Sequence, residues 1–164
     1  MHAFIALFAM KACCFGLSPA PRPHTHSIKS ENGLFYAKVN ARSETTTIKQ
    51  VRRWGLDKKL WSMKRYIERA ALANDGSYLF ISGHLISPPF SKNKEVLWIF
   101  LADGTTRTFT LGQFVKDTST LYPAMGAGSW GGPNVIPRGD WIELETCEGR
   151  TLFVNAKTDE SPTR

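Results

Sequence analysis

Residues 95–101 read Glu-Val-Leu-Trp-Ile-Phe-Leu, a nearly unbroken apolar run of strand length, and Asp103-Gly104 follows almost at once. Side chains of this kind in continuous succession fit a strand covered on both faces. Asp-Gly supplies the positive φ that a tight hairpin turn requires, so Thr105 to Leu111 is expected to return alongside.

The same grammar extends from Leu34 onward. Leu34 to Asn40 sets Phe35, Ala37 and Val39 against Leu34, Tyr36 and Lys38. Thr45 to Arg52 is rich in β-branched residues, and Ser77 to Ser82 puts Tyr78 and Phe80 on one face with Leu79 and Ile81 on the other. Leu60 to Met63 and Tyr66 to Leu72 are weaker runs. Trp141 to Cys147 and Arg150 to Ala156 flank Glu148-Gly149 and predict a second hairpin. Leu111 to Val115 is expected to open one short helix near 111–117. Residues 123–140 contain five glycines and three prolines. They are expected to form a long ordered loop anchored by Tyr122, Met125, Trp130, Val135 and Ile136. The expected fold class is all-β, mainly antiparallel hairpins in a meander, forming a compact sheet or sandwich.

The 164 residues suit one domain plus a leader, and 42% apolar with 21% charged residues is a globular balance. Residues 3–17 are apolar except for Lys11, too short for a permanent span, and resemble the centre of a secretory signal. The expected organisation is a signal peptide at 1–20, a linker at 21–30, one β domain at 31–157 and a polar tail at 158–164. Export to a periplasmic or extracellular location is the corresponding expectation. Met10-Lys11-Ala12 before Cys13 and Cys14 makes a poor lipobox, so lipid anchoring is not expected. Cys147 is then the one cysteine of the β domain and reads as a small soft strand residue. His24-Thr25-His26 has no third ligand nearby and reads as solvated linker.

Ser30-Glu31-Asn32-Gly33-Leu34-Phe35-Tyr36 recurs as Ala73-Asn74-Asp75-Gly76-Ser77-Tyr78-Leu79, with Gly33 and Gly76 placed 43 positions apart. Each copy is followed by a Leu-Trp pair, Leu60-Trp61 and Leu97-Trp98. A period in the low forties suits a four-stranded blade. Across residues 30–111 the pattern resembles the blade repeats of bacterial β-propellers of the TolB and WD40 type. No Trp-Asp pair closes either copy. The resemblance implies, as the alternative to a compact sheet, two propeller-like blades that an oligomeric ring could complete. An apolar leader before such a module also resembles exported bacterial β modules. Neither resemblance implies an activity.

Catalytic motifs are poorly represented. Ala127-Gly128-Ser129-Trp130-Gly131 has the A-x-S-x-G form of a nucleophile elbow, but Gly132-Pro133 opposes the helix that must follow. No histidine lies beyond Ser129; the four are His2, His24, His26 and His84. Glu143 and Glu145 share one face of a strand and read as its solvated side. Asp75 and Asp103 precede glycine and read as turn residues. No phosphate loop, dinucleotide fingerprint, HExxH or paired CxxC occurs. No cofactor or metal is expected.

The clearest polar feature is basic, within a net charge of +7. Lys49, Arg52, Arg53, Lys58, Lys59, Lys64, Arg65 and Arg69 fall within 21 positions, interleaved with Trp54, Trp61 and Tyr66. Such a segment reads first as a hairpin whose aromatics pack inward and whose lysines and arginines face water, and it also suits an anionic neighbour. The expectation is a non-enzymatic interaction module for a protein or envelope component. The alternatives are a carbohydrate module for an acidic glycan and a hydrolase with a site of another design. Nucleic acid is not the expected partner, and no stable transmembrane span is expected. Arg53, Trp54 and Trp130 are the candidate binding residues.

Overall fold

A computed structural model describes residues 22–83, 85–121, 123–124, 127–158 and 160–163. The expected leader lies outside the described residues, as do His84, Tyr122 and Met125. Among the described residues no helix is long and apolar enough to cross a membrane.

The chain folds as antiparallel β-sheets, as the hairpin pattern predicts. The first sheet runs in sequence order through β1 (His26–Lys29), β2 (Phe35–Asn40), β3 (Thr45–Gln50) and β4 (Lys58–Met63). The second begins with β5 (Ala71–Leu72) and β6 (Tyr78–Ser82). After a detour through β7 (Leu85–Ile86) it is completed by β8 (Glu95–Leu101) and β9 (Thr106–Thr110). The one α-helix among the described residues, α1 (Leu111–Phe114), follows at once. Its start is fixed by the Gln113 side chain, which accepts the Thr110 N–H at 2.7 Å. Short strands β10 (Pro123–Ala124) and β11 (Ala127–Ser129) pair with each other, and β11 also pairs with β7. The last sheet comprises β12 (Gly131–Arg138), β13 (Trp141–Thr146) and β14 (Thr151–Asn155). Among the described residues the sheets do not close into a barrel or a propeller ring.

Three expectations change. The region 123–140 is not one loop, because it contributes β10, β11 and the eight-residue β12. Its prolines are tolerated because β12 pairs only with β13, and its register shifts between Gly131 and Val135. The expected linker supplies β1, where half-buried His26 and Ile28 alternate with exposed Ser27 and Lys29. In the expected tail, Thr163 exchanges two backbone hydrogen bonds with Phe153, at 2.8 and 2.9 Å, on the free edge of β14. The weak run from Tyr66 yields strand only at Ala71–Leu72.

The repeated motif produces the same turn twice. Gly33 N–H donates to the Ser30 carbonyl and Gly76 N–H to the Ala73 carbonyl, both at 3.0 Å. Both glycines hold positive φ, +68° and +73°. The Asn32 and Asp75 side chains accept the N–H two residues on, from Leu34 and Ser77. The two turns touch, since Asn32 Nδ2 donates to the Asn74 carbonyl at 2.7 Å.

The second sheet lies between the other two large ones. Leu79 and Phe100 pack with Ala37 and Ile48 of the first sheet. Tyr78, Phe80 and Ile99 pack with Ile142, Leu144, Leu152 and Val154 of the last. Strand β8 is thus covered on both faces, as its apolar run predicts. The Tyr78 hydroxyl donates to the Gly139 carbonyl at 2.9 Å, and burial raises its pKa.

The β13–β14 turn is latched to α1. Glu148 Oε1 accepts the N–H groups of Lys116 and Asp117, while Oε2 pairs with Arg150, whose Nη2 also donates to the Phe114 carbonyl. The Asp117 N–H bond, joined by that of Lys116 and the Arg150 charge, holds the Glu148 carboxyl below its ordinary value. A depressed carboxylate stabilises the fold above its unfolded pKa, and that contribution disappears as pH falls through the folded value. Glu148→Gln is therefore expected to flatten the loss of stability below about pH 4.5, seen in urea melts across pH. At neutral pH, Glu148→Ala is expected to cost about 1–3 kcal/mol.

Candidate binding surface

Alternation fixes which side chains of the first sheet face outward. Ala37, Val39 and Ile48 point inward and are fully buried, so their neighbours form the opposite face. The register sets Lys29, Tyr36, Lys49 and Lys59 in one row across the four strands. The next row is Ser27, Lys38, Thr47 and Ser62. Four lysines thus share a face otherwise made of hydroxyl groups and one tyrosine ring. Among the described residues none of the four is in an ion pair. Lys49 and Lys59 are direct cross-strand neighbours, a like-charge pairing that costs stability unless something anionic offsets it.

The nearby acid is already engaged. Asp57 accepts the Tyr36 hydroxyl at 2.7 Å and the Arg52 N–H at 3.3 Å. These bonds, with a smaller contribution from Lys49, lower its pKa, and the Tyr36 hydroxyl is raised in return.

The face ends in an apolar rim. Val51 N–H donates to the Leu34 carbonyl at 2.9 Å, so these side chains continue the outward rows at the edge of the sheet. Leu34 is 56% exposed, Val51 45% and Leu56 78%. Leu56 occupies the connection between β3 and β4, just after the 3-10 turn Arg53–Gly55. Arg52, Arg53 and Lys58, all exposed, are its near neighbours along the chain. Leu60 differs, because its Cδ1 leans against the turn at Gly76.

Of the residues singled out by sequence, Arg53 lies on this rim. The backbone of Trp54 belongs to the same 3-10 turn, while its side chain lies outside the described residues. Trp130 is elsewhere and is a core residue at 1% exposure, a correction to its reading as a candidate binding residue. Its Nε1 donates to the Gly83 carbonyl at 2.6 Å and its ring lies 4.7 Å from that of Phe114. The glycines around it let the chain close over a large ring. Trp61 is half-buried and donates to the Gly76 carbonyl at 2.7 Å. Trp141, 37% exposed, stands on the outer face of the last sheet, where it lines a shallow depression with Phe153 and Thr163. The basic segment is also divided: Arg65 lies 5.0 Å over the Phe100 ring, away from the lysine rows.

Sequence reasoning missed Lys29 and Lys38, because membership of the face depends on register between strands. It missed Leu56 although a signal existed, a leucine between Gly55 and Asp57 in a charged connection. The candidate chemistry elsewhere is not assembled. Ser129 Oγ donates to the Gly131 carbonyl at 2.9 Å, and Glu143 pairs with Arg138 at 3.1 Å. Among the described residues no group of acids, histidines and cysteines could hold a metal ion. Cys147 is exposed and falls in the turn after β13, not in the strand. A cleft of about 310 Å³ beside β1, β5 and β12 is mostly aliphatic, with Lys29 and Glu31 as its charged residues. Comparisons with family models, curated proteins and solved structures find no match to this chain.

Proposed function

We propose that the chain is a non-enzymatic interaction module that holds an anionic protein or envelope component against the outer face of its first sheet. The observation that carries this reading is the row of lysines with no ion-pair partner among the described residues. A sheet face that places two lysines directly opposite each other is stabilised by any partner bringing negative charge. The hydroxyl groups between them can donate to carboxylate, sulfate or phosphate oxygens. The duplicated turn and the consecutive four strands of the first sheet are in keeping with a likeness to propeller blades, in which the blade would act as scaffold for the face. Export remains the reading carried by the apolar residues 3–17.

Dextran sulfate is a suitable probe of the charge term. The wild-type chain is expected to bind it with an affinity that falls steeply with salt. Lys29→Glu, Lys38→Glu, Lys49→Glu and Lys59→Glu combined are expected to weaken binding at least about 100-fold, given roughly 1 kcal/mol for each cation at an anionic surface. Unchanged binding in that variant would overturn the assignment of the face. A second reading, a carbohydrate module, is favoured by the exposed Trp141 beside Phe153; it predicts binding of neutral glycans that Trp141→Ala removes.

A further inference from the structure

We propose that the partner of this face is an anionic lipid bilayer, entered by the rim of Leu34, Val51 and Leu56. This rests on the reading of the first sheet as an anion-binding face and names what the face meets. Of the five large hydrophobic side chains exposed among the described residues, Leu34, Val51 and Leu56 belong to this end of the sheet and its β3–β4 connection. They are aliphatic, which gives a glycan no ring to stack on and gives an acyl boundary the side chains it accepts. Leu56 is 78% exposed at the tip of a connection, so it can enter without any rearrangement of the sheet. Arg52, Arg53 and Lys58 flank it, and the lysine rows extend from the same edge. Apolar tips with cations immediately behind them match the order of a bilayer surface, acyl chains beneath phosphates. With the rim inserted, Arg52, Arg53 and Lys58 stand at the phosphate level and Lys49 and Lys59 just above it.

Vesicle flotation tests this with the full chain, using phosphatidylcholine alone and phosphatidylcholine mixed with phosphatidylglycerol. Binding to the mixed vesicles and little to phosphatidylcholine alone is expected. Leu56→Ser is expected to lower vesicle affinity about tenfold, in keeping with the loss of a buried leucine side chain. Its binding to dextran sulfate is expected to stay within twofold of wild type, and its thermal melt to be unchanged because the side chain packs on little. Arg53→Ser is expected to cost about fivefold on vesicles. If wild type binds dextran sulfate but not the mixed vesicles, the bilayer is not the partner and the anion-binding face survives; if Leu56→Ser binds vesicles as well as wild type, the rim does not enter the bilayer and this proposal falls while the anion-binding face survives. If wild type binds neither probe, both readings fall.

Discussion

Replacing Trp130 with alanine is expected to destabilise the fold by about 3–5 kcal/mol, the range for removing a large buried aromatic. The ring is 1% exposed and joins three separate parts of the chain. It stacks against Phe114 of α1, donates to the Gly83 carbonyl ahead of β7, and sits between β11 and β12. Its own carbonyl accepts the Cys147 N–H at 2.8 Å, which ties the β13–β14 turn to the same point. Alanine would leave a cavity and a carbonyl without its donor. Trp130→Phe keeps most of the ring volume and loses the N–H, so a smaller cost of about 1–3 kcal/mol is expected. Urea unfolding followed by far-UV circular dichroism measures both. A cost below about 1 kcal/mol for the alanine variant would return Trp130 to the surface.

Gly76→Ala is expected to cost about 2–4 kcal/mol, and Gly33→Ala only about 1 kcal/mol, although the two residues occupy the same place in the repeated turn. Both hold positive φ, so each alanine carries the left-handed penalty. Only at Gly76 would the new Cβ collide, at 2.7 Å from Phe35 Cδ1 and 3.0 Å from Leu60 Cδ1. At Gly33 nothing lies within 4 Å. The first sheet packs onto the turn of the second through Phe35 and Leu60. The difference between the two variants in chemical denaturation isolates that cross-sheet contact. Equal costs would mean that Phe35 and Leu60 do not press on the second turn.

The hairpins were legible because their signals are local. Asp103-Gly104 and Glu148-Gly149 form turns with φ of +89° and +70°, and the run at 95–101 is buried on both faces as its composition demands. The helix at Leu111 was legible for the same reason. Residues 123–140 were not, because β12 contains Pro133 and Pro137 and becomes a strand only through an edge pairing with β13. The binding face was half legible. Local sequence reveals the cluster of cations around Arg53, whereas Lys29, Lys38 and Lys49 become neighbours only through the register of β1, β2 and β3. Trp130 misled for a physical reason: glycines beside a tryptophan fit an exposed loop and a backbone closing over a buried ring equally well.

The most direct test of the account is an amide chemical-shift map of the chain titrated with dextran sulfate at low salt. Binding through the first sheet predicts shifts concentrated at Lys29, Tyr36, Lys38, Lys49 and Lys59, fading as salt is added. Shifts confined to Trp141, Phe153 and their neighbours on the last sheet, or none at all, would contradict it.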